Sequence, residues 1–257
     1  MAIGGASRDN RRFPTTRSIP FVCISEAQRA AFRERARTLA GLDTAAYRAF
    51  GKDPLEPIIG LGPPQARVGF FGRDPGREEV RHGLPFIGAG GQVLRAALYR
   101  HLYRQAMPDF AASIAVGRHF FWANTVPYKP AGNRAWPMRV KRPFQPLVAA
   151  LLVHNWRGAD LITLGREAFL WFGVNQDRDT RTKLEAFWRR PDRFSAVLCT
   201  RFAVPGGAAR TLRLHPLPHP SPLNATWYKR FPALLTARLE ALEVRPDNLA
   251  LTRASVS

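Results

Sequence analysis

"ARVGFFG" (residues 66–72) is a short apolar run that closes on glycine. It is too short for a helix that buries a face, and it is continuously apolar rather than alternating. Both features suit a strand buried on both sides of a sheet. The segment after it decides the fold class. "GGQVLRAALYRHLYRQA" (90–106) places Val93, Leu94, Ala97, Leu98 and Leu102 at helical spacing. The alternation then recurs. "HFFWANTV" (119–126) is strand-like, and "PFQPLVAALLVHNW" (143–156) reads as helical after its prolines. "ADLITLG" (159–165) is a further apolar strand with a terminal glycine, and "REAFLWFG" (166–173) is a short helix. "RFSAVLCTRFAV" (193–204), a glycine pair and "ARTLRLHPLP" (209–218) predict a hairpin and a last core strand. "WYKRFPALLTARLEAL" (227–242) closes the series as a helix. Strands alternating with helices predict a layered α/β fold around a mainly parallel sheet.

Outside this series, "SEAQRAAFRERARTLAGL" (25–42) predicts a helix with Ser25 as cap and Gln28 completing a capping box. "GKDPLEPIIGLGPPQ" (51–65) reads as loop. The first 20 residues lack an apolar core segment and read as a flexible tail rather than a secretory signal. A single domain is expected over 21–245, with "EVRPDNLALTRASVS" fraying from residue 246. No run of about 18 apolar residues occurs, so no membrane span is expected.

The 257 residues carry 39 Lys and Arg against 19 Asp and Glu, a formal charge of +20. An excess of that size favours a polyanionic partner, nucleic acid first, because each neutralised phosphate releases counterions. The alternative is a generally Arg-rich protein whose charges are solvated surface. The two cysteines, Cys23 and Cys199, are too few for a four-ligand cluster. They read as buried reduced thiols of a cytoplasmic protein.

In open parallel sheets, chemistry collects in the loops beyond the carboxyl ends of the strands. Here those loops are "GRDPGREEVRHGLPFIGAGG", "NTVPYKPAGN", "GREA" and "HPLPHPSPLN". Asp74, Asn124 and His219 stand where three of the strands stop. Each has an ordinary alternative: a turn aspartate, a turn asparagine, a loop histidine bonded to its neighbours. His82 and His215 compete for any role given to His219. Phe86, between prolines and glycines, is either core or a stacking surface. The turn "GAGGQ" at a helix start lacks the Lys-Ser/Thr of a phosphate-binding P-loop.

Taken together, the four loops resemble the uracil-DNA glycosylase superfamily. "GRDPG" is similar to its first active-site motif, and "HPSPLN" to its second. "GLPFIGAGGQVL" and "NTVPYKPAGNR" resemble segments of its thermophilic-type bacterial branches. The match runs over residues 66 to 240 in the family's order. With the four core strands above, it implies an α/β fold: a three-layer α/β/α sandwich on a central, mainly parallel four-stranded sheet. It implies hydrolysis of the bond between uracil and its deoxyribose in DNA, with no cofactor or metal, by a monomer. Asp74 and His219 would be catalytic. Gly72, Arg73, Phe86 and Asn124 would bind the substrate base, Phe86 by stacking and Asn124 through its amide. Gly76, Ser221, Leu223 and Asn224 would meet DNA, Ser221 at a phosphate and Leu223 as the wedge in the vacated stack. Lys129, Arg134, Lys229 and Arg230 are candidates for backbone contacts. Two departures stand out: Arg73 replaces the Gln of the common bacterial and nuclear enzyme, and Gly76 replaces its bulky Tyr. The cysteine count places the chain in a branch without an iron–sulfur cluster.

Overall fold

The computed structural model describes residues 24–60, 62–132, 134–222 and 224–249. It opens with α1 (Glu26–Arg37), capped by Ser25 and Gln28 in the reciprocal box expected from their spacing. A short α2 (Thr44–Ala49) follows, capped by Asp43. Strand β1 (Val68–Gly72) leads into α3 (Arg77–His82), α4 (Ala89–Tyr103) and α5 (Phe110–Gly117). Then come β2 (Phe121–Asn124) and α6 (Met138–Ala150), which runs on through a π-turn at Leu151–Asn155. Next are β3 (Asp160–Leu164), α7 (Arg166–Leu170), α8 (Arg178–Arg189), β4 (Leu198–Ala203), β5 (Ala209–Leu217) and α9 (Ala225–Ala241).

The strands form one sheet in the order β2-β1-β3-β5-β4. Four are parallel, in the register Gly72 opposite Asn124, Phe71 opposite Thr163 and Leu164 opposite Leu217. The fifth, β4, pairs antiparallel with β5 as a hairpin edge. The sheet therefore has five strands, not four. Both arms of the 193–218 hairpin join it, because the outer arm satisfies the free edge of β5.

Alternate residues of each strand face two separate cores. Phe71, Leu161, Leu212 and Leu214 pack with α1, α6, α7 and α8, through Phe32, Phe144, Phe169 and Phe187. Phe70, Ile162, Leu164 and Leu217 pack with α4, α5 and α9, through Leu94, Val116 and Leu235. This is the expected three-layer arrangement.

Three further readings change. Pro143 and Pro146 lie inside α6 rather than before it; burial of Phe144, Val148 and Ala149 outweighs the two lost donors. The stretch read as fraying from residue 246 continues as packed structure to residue 249. Val244 and Leu249 are buried against α4 and α9. Cys199 is exposed on the edge strand rather than buried. The proposed tail 1–20 and Cys23 lie outside the described residues. Among the described residues, no helix is long and apolar enough to cross a membrane.

Candidate functional site

All four parallel strands end at the same edge, so the loops after β1, β2, β3 and β5 meet there. Between β1 and β3 the connections leave in opposite directions, which opens a crevice at the strand ends.

The loop after β1 carries Asp74. Its carboxylate is buried, with the side chain 2 % exposed. Thr125 Oγ1 lies 3.1 Å from Oδ1, and the Trp136 backbone N–H donates to Oδ2 at 3.2 Å. Thr125 also fixes the loop itself: its N–H donates to the carbonyls of Gly72 and Arg73, and its hydroxyl reaches the Arg73 carbonyl at 2.7 Å. Burial pushes the Asp74 pKa up to about 6, against the pull of the Trp136 N–H, Arg73, Lys141 and Thr125. Arg73 Nε lies 3.4 Å from Asp74 Oδ2, too long and oblique to count as a hydrogen bond, and it has no other partner among the described residues.

His219 follows β5. Its ring is open to solvent on one side. The surrounding protein, and then the Arg73 charge, push its pKa well below the ordinary imidazole value, so it is neutral at pH 7. Arg73 thus stands within electrostatic reach of both Asp74 and His219 and brings the two motifs into one site. The His219 loop is seated on the start of α4. Gly90 lies so close to the Pro220 carbonyl that a side chain there has no room.

Asn124 ends β2 opposite Gly72, 4 % exposed, and its Oδ1 is buried with no hydrogen-bond partner among the described residues. A buried acceptor left unpaired costs stability, and such groups mark ligand sites. Phe86 lies over Gly72, where any side chain would collide with the ring; that contact explains the glycine. The other neighbour of the ring is Trp122, 5.3 Å between centroids. Phe86 has φ 54°, a strained backbone for a non-glycine residue. Arg95, 4 % exposed, holds it by donating to the carbonyls of Phe86 at 2.8 Å and Pro85 at 3.1 Å. Glu79 accepts from Ile87 and Gly88 with one oxygen and from Gly76 with the other, so the first motif and the Phe86 loop move as one piece.

Ser221 and Asn224 form the turn into α9, with Asn224 N donating to the Ser221 carbonyl. Asn224 caps α9 without a side-chain bond. Arg134, Lys229 and Arg230 are exposed. Leu223 lies outside the described residues. Lys129 is not a surface cation: it is 5 % exposed, and its ammonium is spent on Asp43 at 2.7 Å and on the carbonyls of Pro130 and Gly132. His82 lies on the surface against Phe110, and His215 is bound to Asp160 at the far end of the sheet, so neither belongs to this site. A cavity of about 620 Å³, lined by Tyr47, Ile58, Pro85 and Trp122 among others, lies behind the Phe86 loop and includes none of Asp74, Asn124 or His219.

Sequence reasoning missed Thr125, Glu79, Arg95 and the ion pair of buried Lys141 with exposed Glu167. The Gly76-to-Glu79 spacing is a capping-box signature and could have flagged Glu79. Thr125 sits beside Asn124 in a stretch already singled out. Arg95 and Lys141 look like surface cations of amphipathic helices, and nothing local sets them apart. No group of three or more His, Cys, Asp or Glu among the described residues is arranged to hold a metal ion.

A family model described as the uracil DNA glycosylase superfamily matches residues 59–243. No curated protein matches the chain.

Proposed function

Because the chain belongs to the uracil DNA glycosylase superfamily, we propose that it is a monofunctional glycosylase that hydrolyses the N-glycosidic bond of uracil in DNA and so starts base-excision repair. The match spans more than two thirds of the chain and supports a DNA glycosylase role. Choosing uracil is the finer step, and one observation carries it. A buried, partnerless amide oxygen on Asn124 stands on the strand beside the Asp74 loop, at the edge where His219 also lies. Uracil presents an N3–H donor flanked by two carbonyls, which suits an acceptor at that position.

In the proposed reaction the C1′–N1 bond breaks and its electron pair leaves with the base. Positive charge builds on the sugar and negative charge on uracil O2. The Asp74 carboxylate faces the sugar and stabilises that charge. Water adds to C1′, and its proton passes to Asp74, whose elevated pKa suits a general base. The neutral His219 ring donates N–H to O2 and need not protonate the base. Both groups act most strongly as charge separates, where stabilisation accelerates the reaction. Phe86 stacks on the extruded base. Extrusion costs a few kcal/mol, offset by these contacts, by Ser221 at a phosphate and by Leu223 in the vacated stack. The reading also takes the chain as a cytoplasmic monomer of a branch without an iron–sulfur cluster. The absence of a cluster is supported by a count of two cysteines, fewer than a four-ligand cluster needs.

Gly76 favours a second reading, a glycosylase for another deaminated or mismatched base. It carries no side chain where the common enzyme has a bulky Tyr, and its N–H is engaged by Glu79. The test is incubation with a uracil-containing oligonucleotide followed by alkali. Strand scission at the uracil supports the proposal. Salt-sensitive binding without scission replaces it with a non-catalytic DNA-binding protein. Scission only in a hypoxanthine or thymine–guanine substrate selects the second reading.

A further inference from the structure

A cleft of about 270 Å³ opens between α6, α7 and α8, lined by Lys141, Arg142, Arg166 and Arg181 with Glu167 and Glu185. It falls below the roughly 300–1,000 Å³ of small-molecule pockets, so it suits a small group rather than a base or cofactor. Its charges do not balance. Lys141 is paired with Glu167, and Arg166 with Glu185 at 3.0 Å. Arg142 and Arg181 are exposed and make no ion pair among the described residues. The Arg181 stem and the Arg142 backbone are nevertheless held in place. The Arg181 stem rests against Gly173, where a side chain would meet it at 3.0 Å. Asn175, in the left-handed conformation at φ 57°, donates to the Arg142 carbonyl at 3.1 Å and so ties the turn before α8 to α6. Trp171 lines the cleft, 1 % exposed, and its indole N–H has no acceptor among the described residues. Two uncompensated guanidinium groups and an orphan donor make a site for an anion.

The cleft adjoins the proposed catalytic centre. Glu167 lies in the first turn of α7, just beyond the end of β3, at the same sheet edge as Asp74 and His219. The charge of Lys141 is felt at Asp74, and that of Arg73 at Glu167. From these observations we propose that the cleft binds a backbone phosphate of the DNA flanking the extruded nucleotide, through Arg142 and Arg181. α8 then widens the DNA footprint beyond the active-site loops. This rests on the reading of the chain as a DNA glycosylase.

The experiment compares the full chain with the double variant Arg142→Gln/Arg181→Gln. Its control is Arg100→Gln/Arg104→Gln, which removes the same charge from α4 on the opposite face of the sheet. Uracil release from a long duplex and from a short single strand is measured over a range of salt, together with binding to uracil-free duplex. Each lost phosphate contact flattens the dependence of log affinity on log salt by about 0.9. The cleft variant loses one phosphate contact, so it is expected to flatten it by about 0.9 and to raise KM on the long duplex roughly tenfold. The saturating rate is expected to change less than twofold, and the short strand is expected to show no difference. The control is expected to match the wild type. Equal KM and equal slope in the cleft variant and the control would overturn the proposal. Wild-type protein that binds duplex but releases no base sinks the glycosylase reading instead, and the binding slopes then still judge the cleft.

Discussion

The sheet holds an aspartate and a histidine at each end, and the two pairs are built in opposite ways. At the start of β3, Asp160 accepts from His215 at 2.9 Å and takes a two-pronged bond from Arg213 at 2.6 and 2.5 Å. Burial raises the Asp160 pKa, but the bonds from His215 and Arg213 outweigh it and hold the carboxyl well below the usual range. At the strand ends, Asp74 is as deeply buried yet receives only a hydroxyl and one backbone N–H, and its pKa goes up to about 6. No hydrogen bond joins His219 to Asp74 among the described residues, Arg73 stands near both, and Asn124 Oδ1 has no partner among them. The first carboxylate has its bonds made within the protein and serves stability, although His215 Nδ1 has no partner among the described residues. The second leaves polar groups unpaired in a buried place, which costs stability and is tolerated where a substrate completes the bonding.

The sharpest way to break this contrast is at the open pair. Asp74→Asn and His219→Ala are each expected to slow single-turnover uracil release by about 10²–10³, with DNA binding largely retained. Near-normal release in both would leave the two ends functionally alike. Next in size is the pH response. The Asp74 carboxylate must be ionised, so release is expected to fall about tenfold per pH unit below about 6. The neutral His219 adds no limb between pH 6 and 8; a rate that is flat down to pH 5 removes Asp74 from the role of base.

At the closed pair, Asp160→Ala strands His215 and Arg213. A loss of about 3 kcal/mol in urea unfolding is expected, the low end for a broken buried pair, because Arg213 is 48 % exposed. Uracil release per folded molecule should not change. The smallest effect has the opposite sign. A carboxyl whose folded pKa lies about two units above the ordinary 3.8 opposes folding at neutral pH, at about 1.4 kcal/mol per unit. Allowing for an imperfect fit of the amide, Asp74→Asn is expected to be about 1–3 kcal/mol more stable than wild type at pH 7. The gap should close as pH falls from about 6 to below 3.8, where the wild-type group is protonated in both states. A variant less stable than wild type at pH 7 would mean that Asp74 is structural after all.

Much of this contrast was invisible before the chain was folded. The strands, the Ser25 cap and the four loops are legible because they depend on local signals: apolar runs, glycine stops and capping spacing. Short or charged helices were not. α3 and α5 bury only a few residues each, and α8 gathers its apolar face, Leu184, Phe187 and Trp188, into its second half behind a charged first turn. Lys129 looked like a surface cation because charge says nothing about where Asp43 lies. Cys199 looked like core because a hairpin edge and a central strand are equally apolar in sequence.

The alternation of the main strands and helices and the residues at the strand ends follow from the sequence alone, since periodicity and turn chemistry act over a few neighbours. The tertiary structure alone decided which of two aspartates is bonded shut and which is left open. Burial and partner distance set a carboxylate's free energy, and both depend on residues far away along the chain.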